Sequence, residues 1–510
     1  MKIRLGLLFS LSLCIVFFTF SQDQAKLSIT TPSTGMVVIA VTPTFHTAYG
    51  LKYPMTYQID IPSGSSSLKA LEKHQILEST WIQLTEKTSV DTFNAVEAVR
   101  FDYTNSRVYV SAAFSGASDS LFLEIVDGAN NPVSIVYRGI SKYYDNRKAV
   151  VTATFDDWGD WMFNEEGALI HLFRSYGIYV TGGVITWSTS RPTWQKIQAE
   201  LDSGFVEIAS HSRTHIATPY DTIIGTQHYT SVSEVGGSVQ DIKTALNFPP
   251  LFSLNGTKYV YTWIAPYGDY DSKVDSLLGG YGYLDARLYE NGSTASPREY
   301  VYGDSILHPW DNSRNHFSAF FPTLELGAPS WGGGDTSLTS LNGLFDAILA
   351  KGDVYHFMWH PQVLYPDINK SYLINHLNHI SGHTNVWYVN LGHLYLYNLV
   401  QSLDANQTTL VSASRGVPED FELFQNYPNP FNPSTNITFN LKSKSDVKIE
   451  IFNVLGQRIK NVDLGLLNAG SASQTIDLSR YATGIYFYRL NVVSGDGERF
   501  TAMKKMILLK

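Results

Sequence analysis

Cysteine is almost absent from this chain of 510 residues, which contains only Cys14. That cysteine lies in an apolar run over residues 5–20, which follows two basic residues and ends at small residues. This order predicts a secretory signal peptide over residues 1–21. The mature protein would then have no cysteine, which excludes disulfides and thiol chemistry.

Charge and long apolar runs are also scarce. Charged residues make up 16% of the chain and the net charge is −9 at pH 7, which gives no reason to expect nucleic acid binding. After the signal peptide no apolar run is long enough to span a membrane, so no transmembrane segment is expected. Aromatic residues reach 13%, which indicates a folded chain rather than a disordered one.

Residues 22–147 form the first predicted region, an N-terminal β-sandwich-like domain. It contains short β-rich runs separated by turn-forming residues and no obvious catalytic cluster. Its exposed tyrosines and Trp81 could bind glycan, although support of the neighbouring region is the preferred interpretation. The runs are Met36–Val41, Met55–Ile61, Arg107–Ser111 and Ser120–Val126.

Residues 148–401 show a different pattern, in which about seven β-rich runs alternate with helical ones. That alternation predicts a parallel sheet in a distorted (β/α)7 barrel. Residues 297–331 break the rhythm, and we expect a long loop region there, over one end of the barrel. The predicted strands are Val150–Phe155, Ile178–Thr181, Phe205–Ser210, Tyr259–Ile264, Tyr283–Leu288, Val354–Trp359 and Val386–Asn390.

The C-terminal part is predicted to be all-β. Residues 402–420 are polar and predict a linker. Residues 421–510 contain runs with clean period-two alternation, such as Val447–Phe452 and Gly484–Leu490, which predict an Ig-like β-sandwich. The fold class is therefore multidomain α/β plus all-β.

Two adjacent carboxylates end the first strand of the alternating region, in Val150-Val-Thr-Ala-Thr-Phe-Asp-Asp-Trp158. Ligands of α/β folds bind beyond the carboxyl ends of such strands. Adjacent strand residues point to opposite sides, so Asp156 and Asp157 are expected to do two different jobs. A turn or a helix N-cap is the alternative explanation for the pair.

Histidines follow two further strands of the same region. His211 and His215 have the i, i+4 spacing that places two imidazoles on one side of a helical turn. Two histidines and one carboxylate are a common set for a catalytic divalent metal. His360 ends a later strand. Three other histidines have helical spacing that would suit a second metal site, but a boundary helix face is the preferred interpretation; these are His376, His379 and His383.

These strand ends resemble the motifs of the polysaccharide deacetylases of carbohydrate esterase family 4, which have the NodB-like fold. The resemblance covers roughly residues 148–395. Thr154-Phe-Asp-Asp-Trp158 resembles the first motif, T-F-D-D-G, with Trp158 in place of glycine. His211-Ser-Arg-Thr-His215 is similar to the second motif, H-S/T-x-x-H. Ala265-Pro-Tyr-Gly268 resembles the end of the third motif, R-P-P-Y-G, and His360 matches the last histidine.

The resemblance implies a reaction and a metal. Asp157, His211 and His215 would hold a divalent ion, Zn²⁺ in the first place, with Co²⁺ or Ni²⁺ as alternatives. The chain would hydrolyse N- or O-acetyl groups of an acetylated polysaccharide, as an amide hydrolase with esterase activity also open. Chitin-like chains, peptidoglycan, poly-N-acetylglucosamine and acetyl-xylan all fit this pattern.

The resemblance also implies which groups move protons and contact the substrate. Asp156 would be the general base and His360 the general acid. The backbone N–H of Tyr267 would help to stabilise the oxyanion. The expected substrate contacts are Trp158, Pro266, Tyr267 and Trp359.

One departure from the family pattern affects the proposed base. The arginine of the third motif, which steadies the catalytic aspartate, falls on Ile264. Arg287, at the end of a neighbouring predicted strand, is expected to supply the missing charge. If no such compensation exists, the alternative is a glycan-binding surface protein built on an inactive deacetylase barrel.

The C-terminal region resembles the type A sorting domain of type IX secretion. The resemblance rests on Asn426–Thr435, Ile451–Gln457, Ala482–Tyr488 and Lys504–Met506. It implies export through the periplasm and a location that is secreted or attached to the outer-membrane surface. The type IX secretion machinery is then the expected partner.

Overall fold

The fold is that of a computed structural model, which describes residues 27–75, 80–88, 94–217, 222–224, 227–268, 272–287, 298–301, 320–327, 334–404, 421–423, 426, 431–467, 470–495 and 497–509. The predicted signal peptide, and most of the predicted linker, lie outside the described residues. Among the described residues, no helix combines the length and the apolarity needed to cross a membrane.

The N-terminal region consists of two antiparallel sheets and one short helix, α1 (Pro43–Tyr49). The strands alternate between buried and less buried positions, as in Met36–Val41, because successive side chains point to opposite faces. The first sheet has the order β1-β2-β8-β4-β5 and the second β6-β7-β3-β9. The strands are β1 (Leu27–Thr30), β2 (Met36–Val41), β3 (Met55–Asp60), β4 (Lys69–His74), β5 (Ile82–Gln83), β6 (Ala98–Asp102), β7 (Arg107–Ala112), β8 (Ser120–Val126) and β9 (Val136–Ile140).

The central region is built on a curved sheet with the order β18-β17-β12-β11-β10-β22-β20-β19, to which β21 and β23 add at β20 and β10. All pairs from β18 to β20 along this order are parallel. The main strands are β10 (Ala149–Trp158), β11 (Val180–Val184), β12 (Val206–Ser210), β17 (Thr262–Ile264), β18 (Asp285–Arg287), β19 (Arg298–Val301), β20 (Phe320–Leu326), β21 (Gly334–Asp335), β22 (Val354–Trp359) and β23 (Val386–Tyr388). Two short hairpins, β13–β14 (Thr222–Ile224, Gln227–Tyr229) and β15–β16 (Ser253–Leu254, Thr257–Lys258), lie outside it.

Each of the seven predicted strands of this region corresponds to a strand of the sheet, but the expectation for residues 297–331 is wrong. Instead of a loop throughout, β20 lies parallel to β22 inside the sheet, and β19 pairs with β20 in the antiparallel sense. Pro322 within β20 explains the error, because proline in a β-rich run ordinarily argues against a strand.

Helices connect the strands and cover the sheet. The best-defined ends are those of α6, where the Ser337 hydroxyl accepts a hydrogen bond from Ser340 N and Gly352 closes the helix at φ 75°. The helices are α2 (Phe163–Ser175), α3 (Arg191–Asp202), α4 (Ser238–Ala245, preceded by a π-helical turn over Val232–Gly237), α5 (Ser272–Tyr281), α6 (Leu338–Lys351), α7 (Pro361–Leu364), α8 (Ser371–Ile380) and α9 (Leu391–Ser402).

The N-terminal and central regions share one continuous hydrophobic core, which extends from Val37 to Val400. Hydrogen bonds also join them, from Tyr397 Oη to Ser141 O and from Trp387 Nε1 to Tyr53 Oη. The first region therefore packs directly against the central sheet.

The C-terminal region has a hydrophobic core of its own. It is all-β and antiparallel, with one sheet in the order β24-β25-β28 and another in the order β27-β26-β29-β30. The strands are β24 (Glu422–Leu423), β25 (Ser434–Leu441), β26 (Ser445–Asn453), β27 (Arg458–Leu467), β28 (Gly470–Asp477), β29 (Gly484–Ser494) and β30 (Arg499–Leu508).

Candidate metal and catalytic site

The end of β10 bends so that both of its carboxylates face the same histidine. Asp157 has φ 64°, and the register between β10 and β11 shifts between Phe155 and Trp158. As a result His211 Nε2 lies 3.9 Å from Asp156 Oδ2 and 3.5 Å from Asp157 Oδ1. The expectation that these neighbours point to opposite sides is therefore wrong, because left-handed backbone at Asp157 interrupts the strand alternation.

Asp157, His211 and His215 form a cluster with the geometry of a metal site. One ligand atom from each residue lies within 4.8 Å of the others, and His215 Nε2 is 3.2 Å from Asp157 Oδ1. His211 Nδ1 donates a hydrogen bond to Ile264 O at 2.8 Å, so that its Nε2 carries the lone pair that a metal needs. This donor set fits a divalent ion such as Zn²⁺.

The two histidines reach each other from a loop, not from the helical turn that their spacing predicts. Ser212 and His215 have φ values of 63° and 58°, and His215 N donates to Ser212 Oγ at 2.8 Å. The ring centroids are 4.8 Å apart. The i, i+4 spacing correctly indicates that the two imidazoles lie close together. The backbone conformation that brings them together is an irregular loop.

Asp156 is paired with a buried arginine from another strand. Arg287, fully buried on β18, donates from its guanidinium Nη2 to Asp156 Oδ1. In the parallel pairing of β17 and β18, Arg287 is the direct partner of Ile264. The guanidinium therefore comes from the strand next to the one that carries Ile264, at the same level along the two strands. Burial raises the pKa of Asp156, but Arg287, His211 and His360 outweigh burial and lower it below its ordinary value.

His360 lies on the other side of Asp156, directly after β22. Its Nε2 is 3.7 Å from Asp156 Oδ2, and its Nδ1 donates to Glu325 Oε1 at 2.8 Å. Burial lowers the pKa of His360, but Glu325 and Asp156 together raise it above the ordinary value. The imidazole is thereby favoured in its protonated form.

Sequence reasoning missed Glu325 and Gln362. Glu325 belongs to β20, within the stretch interpreted as a loop, so nothing indicated that it faces His360. Gln362, on α7, donates from Nε2 to Asp157 Oδ2 at 3.1 Å. The position of Gln362 two residues after a predicted catalytic histidine was the only available signal.

Tyr267 lies at the rim of this site. Its side chain is 58% exposed, its φ is 58° and its ring centroid is 4.7 Å from that of His215. The role of its backbone N–H at an oxyanion stays a prediction, as do the catalytic roles of the other site residues.

Three of the four expected substrate contacts are buried in this structure, and their contact with a substrate stays a prediction. Trp158 is 3% exposed and Trp359 is fully buried, and Pro266 is buried as well. Trp158 packs on Phe155, with centroids 5.0 Å apart, and fills the space above Gly182, where a Cβ atom would lie 2.7 Å from its ring. These side chains complete the core beneath the site rather than its surface.

The other histidines have partners of a structural kind. His376 bonds to Tyr355 Oη and Asn342 Oδ1, while His379 bonds to Asp346 Oδ1. His383 Nε2 donates to His379 O. Among the described residues these three histidines form no metal-binding cluster.

Comparison with known proteins gives a sequence match at the C-terminus. Residues 425–508 match the family model of the secretion system C-terminal sorting domain. The latent PorU dimer from Porphyromonas gingivalis is similar over 18% of this chain and 9% of that chain, at 22% identity and a TM-score of 0.16. The chain thus spans a small part of PorU. No curated protein is detectably similar to this chain in sequence.

Several solved structures resemble about half of the chain. A putative polysaccharide deacetylase from Mycobacterium smegmatis shares 14% identity and a TM-score of 0.32, over 51% of this chain and 93% of that one. A probable polysaccharide deacetylase from Pseudomonas aeruginosa PAO1 shares 12% identity and a TM-score of 0.33, over 53% and 95%. At these identities the activity has to be inferred from the site itself.

Proposed function

We propose that this protein is a secreted, metal-dependent polysaccharide deacetylase whose central region is a distorted (β/α)7 barrel. The observation that carries the proposal is the convergence of Asp157, His211 and His215 within 4.8 Å, with Asp156 and His360 beside them. Few structural roles would require a complete ligand set flanked by a base and an acid at the ends of separate strands.

The protein groups have complementary tasks in acetyl hydrolysis. Asp157, His211 and His215 would hold the divalent ion, which would supply polarisation of the acetyl carbonyl and a lowered pKa of bound water. Asp156, kept ionised by Arg287, accepts the proton of the attacking water, and His360 donates a proton to the leaving amine or alkoxide. Gln362 orients the Asp157 carboxylate through its hydrogen bond. The N–H of Tyr267 is the proposed donor to the oxyanion.

The arrangement around Asp156 favours an active enzyme over the inactive-barrel alternative. That alternative depends on the apolar Ile264 in place of the family's arginine. The Arg287 guanidinium is hydrogen bonded to Asp156, which supports a base that is held and charged from a different strand.

A cleft of about 610 Å³ lies against the histidine loop but is lined by none of the proposed metal ligands or catalytic residues, so it is proposed only as an additional contact for the glycan. Arg213 and Thr214, which lie between the two histidines in sequence, line it together with Trp187 and Trp194. The Trp187 side chain is 60% exposed, so its ring is available to stack on a sugar, as the buried tryptophans are not.

The proposal is tested by acetate release from chitin oligomers, peptidoglycan, poly-N-acetylglucosamine and acetyl-xylan, with Zn²⁺, Co²⁺ or Ni²⁺ restored after chelation. We expect acetate release from at least one substrate. This activity should be lost when the metal is chelated and should return when metal is added back. His211→Ala should lose the activity and the ion of this central site. Glycan binding without acetate release in any metal-loaded sample would favour the inactive-barrel alternative.

The sorting domain at the C-terminus supports export as the second part of the proposal. We propose that the type IX secretion machinery recognises residues 421–510 and carries the chain from the periplasm to the outer-membrane surface or the medium. An acetylated polysaccharide outside the cell is then the accessible substrate.

A further inference from the structure

The N-terminal region contains a second cluster of metal-ligand residues, far along the chain from the central triad. Glu72, His74 and Glu97 each place one ligand atom within 4.8 Å of the others. Glu72 and His74 lie two residues apart on β4, and therefore on one face of that strand. Glu97 directly precedes β6, which belongs to the other sheet of this region.

A buried oxygen of Glu72 has no partner in the part of the chain that the structure describes. The residue is 5% exposed, and its Oε2 has no hydrogen bond. A buried carboxylate oxygen without a partner is costly, and a cation between Glu72 and Glu97 would give that oxygen a partner and offset the repulsion between the two carboxylates.

The orientation of His74 supports the same assignment. Its Nδ1 is 2.6 Å from Asp119 Oδ2, and that Asp119 oxygen also accepts from Ser115 N at 2.9 Å. A carboxylate bonded to one ring nitrogen is the usual arrangement behind a metal-bound histidine. Glu97 is held too, since its Oε1 accepts from Ala113 N at 2.9 Å.

We propose that Glu72, His74 and Glu97 bind a divalent cation that joins the two N-terminal sheets, with Asp119 as the residue that orients His74. One imidazole and two carboxylates are ligands that suit Zn²⁺ and similar first-row ions. The site is structural, because it links strands of different sheets and stabilises the folded state by binding to it alone.

The test counts Zn²⁺ ions per chain in the full-length protein, by mass spectrometry of metal content after dialysis. Wild-type protein should hold two ions, and Glu97→Gln should hold one. Glu97 is exposed and glutamine keeps the acceptor for Ala113 N, so folding is expected to survive. Glu86→Gln, which removes the same charge from an exposed position outside the cluster, is the matched control and should hold two.

A second measurement separates this site from the central one. In a His211→Ala/His215→Ala background, calorimetric titration should still detect one Zn²⁺ site, weakened about 10–100-fold by Asp119→Asn, the usual effect of losing an orienting partner. Acetate release should be unchanged in Glu97→Gln alone. Two ions in Glu97→Gln, or no Zn²⁺ binding in the background that lacks the central histidines, would overturn the proposal.

Discussion

The central region and the C-terminal region differ in where their backbone is strained. Four non-glycine residues of the candidate site have left-handed φ values, namely Asp157, Ser212, His215 and Tyr267. In the described part of the C-terminal region, every residue with positive φ is a glycine. Within the described central region, four of the five non-glycine residues with positive φ therefore belong to the candidate site, while the region that matches a sorting domain is regular β-structure.

The two regions also use carboxylates differently. Asp156 is buried with the fully buried Arg287, whereas Glu450 binds Arg458 and Arg489, whose side chains are 57% and 36% exposed. A charge that is buried at a strand end beside histidines is arranged for chemistry. The Glu450 side chain is itself only 10% exposed, but its two arginines reach solvent, so this network contributes to local stability.

The largest expected effect is the loss of the base. Asp156→Asn should lower the rate of acetate release about a hundredfold or more, because the carboxylate that accepts the proton is gone. Its metal content should stay that of wild type, as measured by mass spectrometry. Glu450→Gln is the matched control in the regular region and should leave the rate unchanged. Equal rates for wild type and Asp156→Asn would remove Asp156 from the mechanism.

The next effect concerns the arginine on β18. Arg287→Ala should destabilise the central region by about 3–5 kcal/mol in chemical denaturation, because Asp156 would be left as an uncompensated buried charge. Arg489→Ala should cost about 1 kcal/mol or less, since its partner remains bonded to Arg458 at the surface.

The same arginine gives a sharper test of compensation between strands. If charge beside Asp156 is what matters, Ile264→Arg combined with Arg287→Ile should recover more activity than Arg287→Ile alone. Arg174→Ala, at a surface pair with Glu200, controls for the loss of an arginine. Full activity in Arg287→Ala would show that Asp156 needs no cationic partner.

A smaller effect is expected from Glu325, the residue that sequence reasoning missed. Because Glu325 helps to raise the pKa of His360, the general acid stays protonated, and active, to a higher pH. In Glu325→Gln the alkaline limb of the pH–rate profile should move to lower pH, towards the ordinary histidine value of about 6.5. The acidic limb should not move, and an unchanged alkaline limb would contradict the role of this contact.

The smallest effect on catalysis should follow removal of the C-terminal region. A chain ending before Phe421 should keep the activity and unfolding midpoint of the remaining part, because the C-terminal region has its own core. In a host with type IX secretion, cell fractionation should find the shortened protein in the periplasm. Its appearance at the cell surface would contradict the sorting function.

Regular elements were predictable from the sequence, and irregular contacts were not. The seven alternating runs and the period-two strands of the C-terminal region follow from side-chain periodicity, which is local. The strand that carries Glu325 contains Pro322 and pairs with residues more than thirty positions away, so its place in the sheet depends on tertiary pairing.

The site residues show the same division. Motif spacing brought Asp157, His211 and His215 into one set, but it could not distinguish a loop from a helical turn. Trp158 and Trp359 are expected substrate contacts only through the family resemblance, and local sequence does not tell which face of a curved sheet is covered. Arg287 could be proposed as the cationic partner of Asp156 because Ile264 stands where the family has an arginine and cannot supply that charge.

The left-handed conformation of Asp157 implies a conflict between stability and activity. A non-glycine residue there costs about 1 kcal/mol, at the low end of such strain because aspartate tolerates this backbone better than most residues. Asp157→Gly should therefore raise the thermal unfolding temperature of the metal-free protein while abolishing metal binding. The strained backbone at this position thus holds in place a carboxylate that lies within 3.5 Å of both His211 and His215.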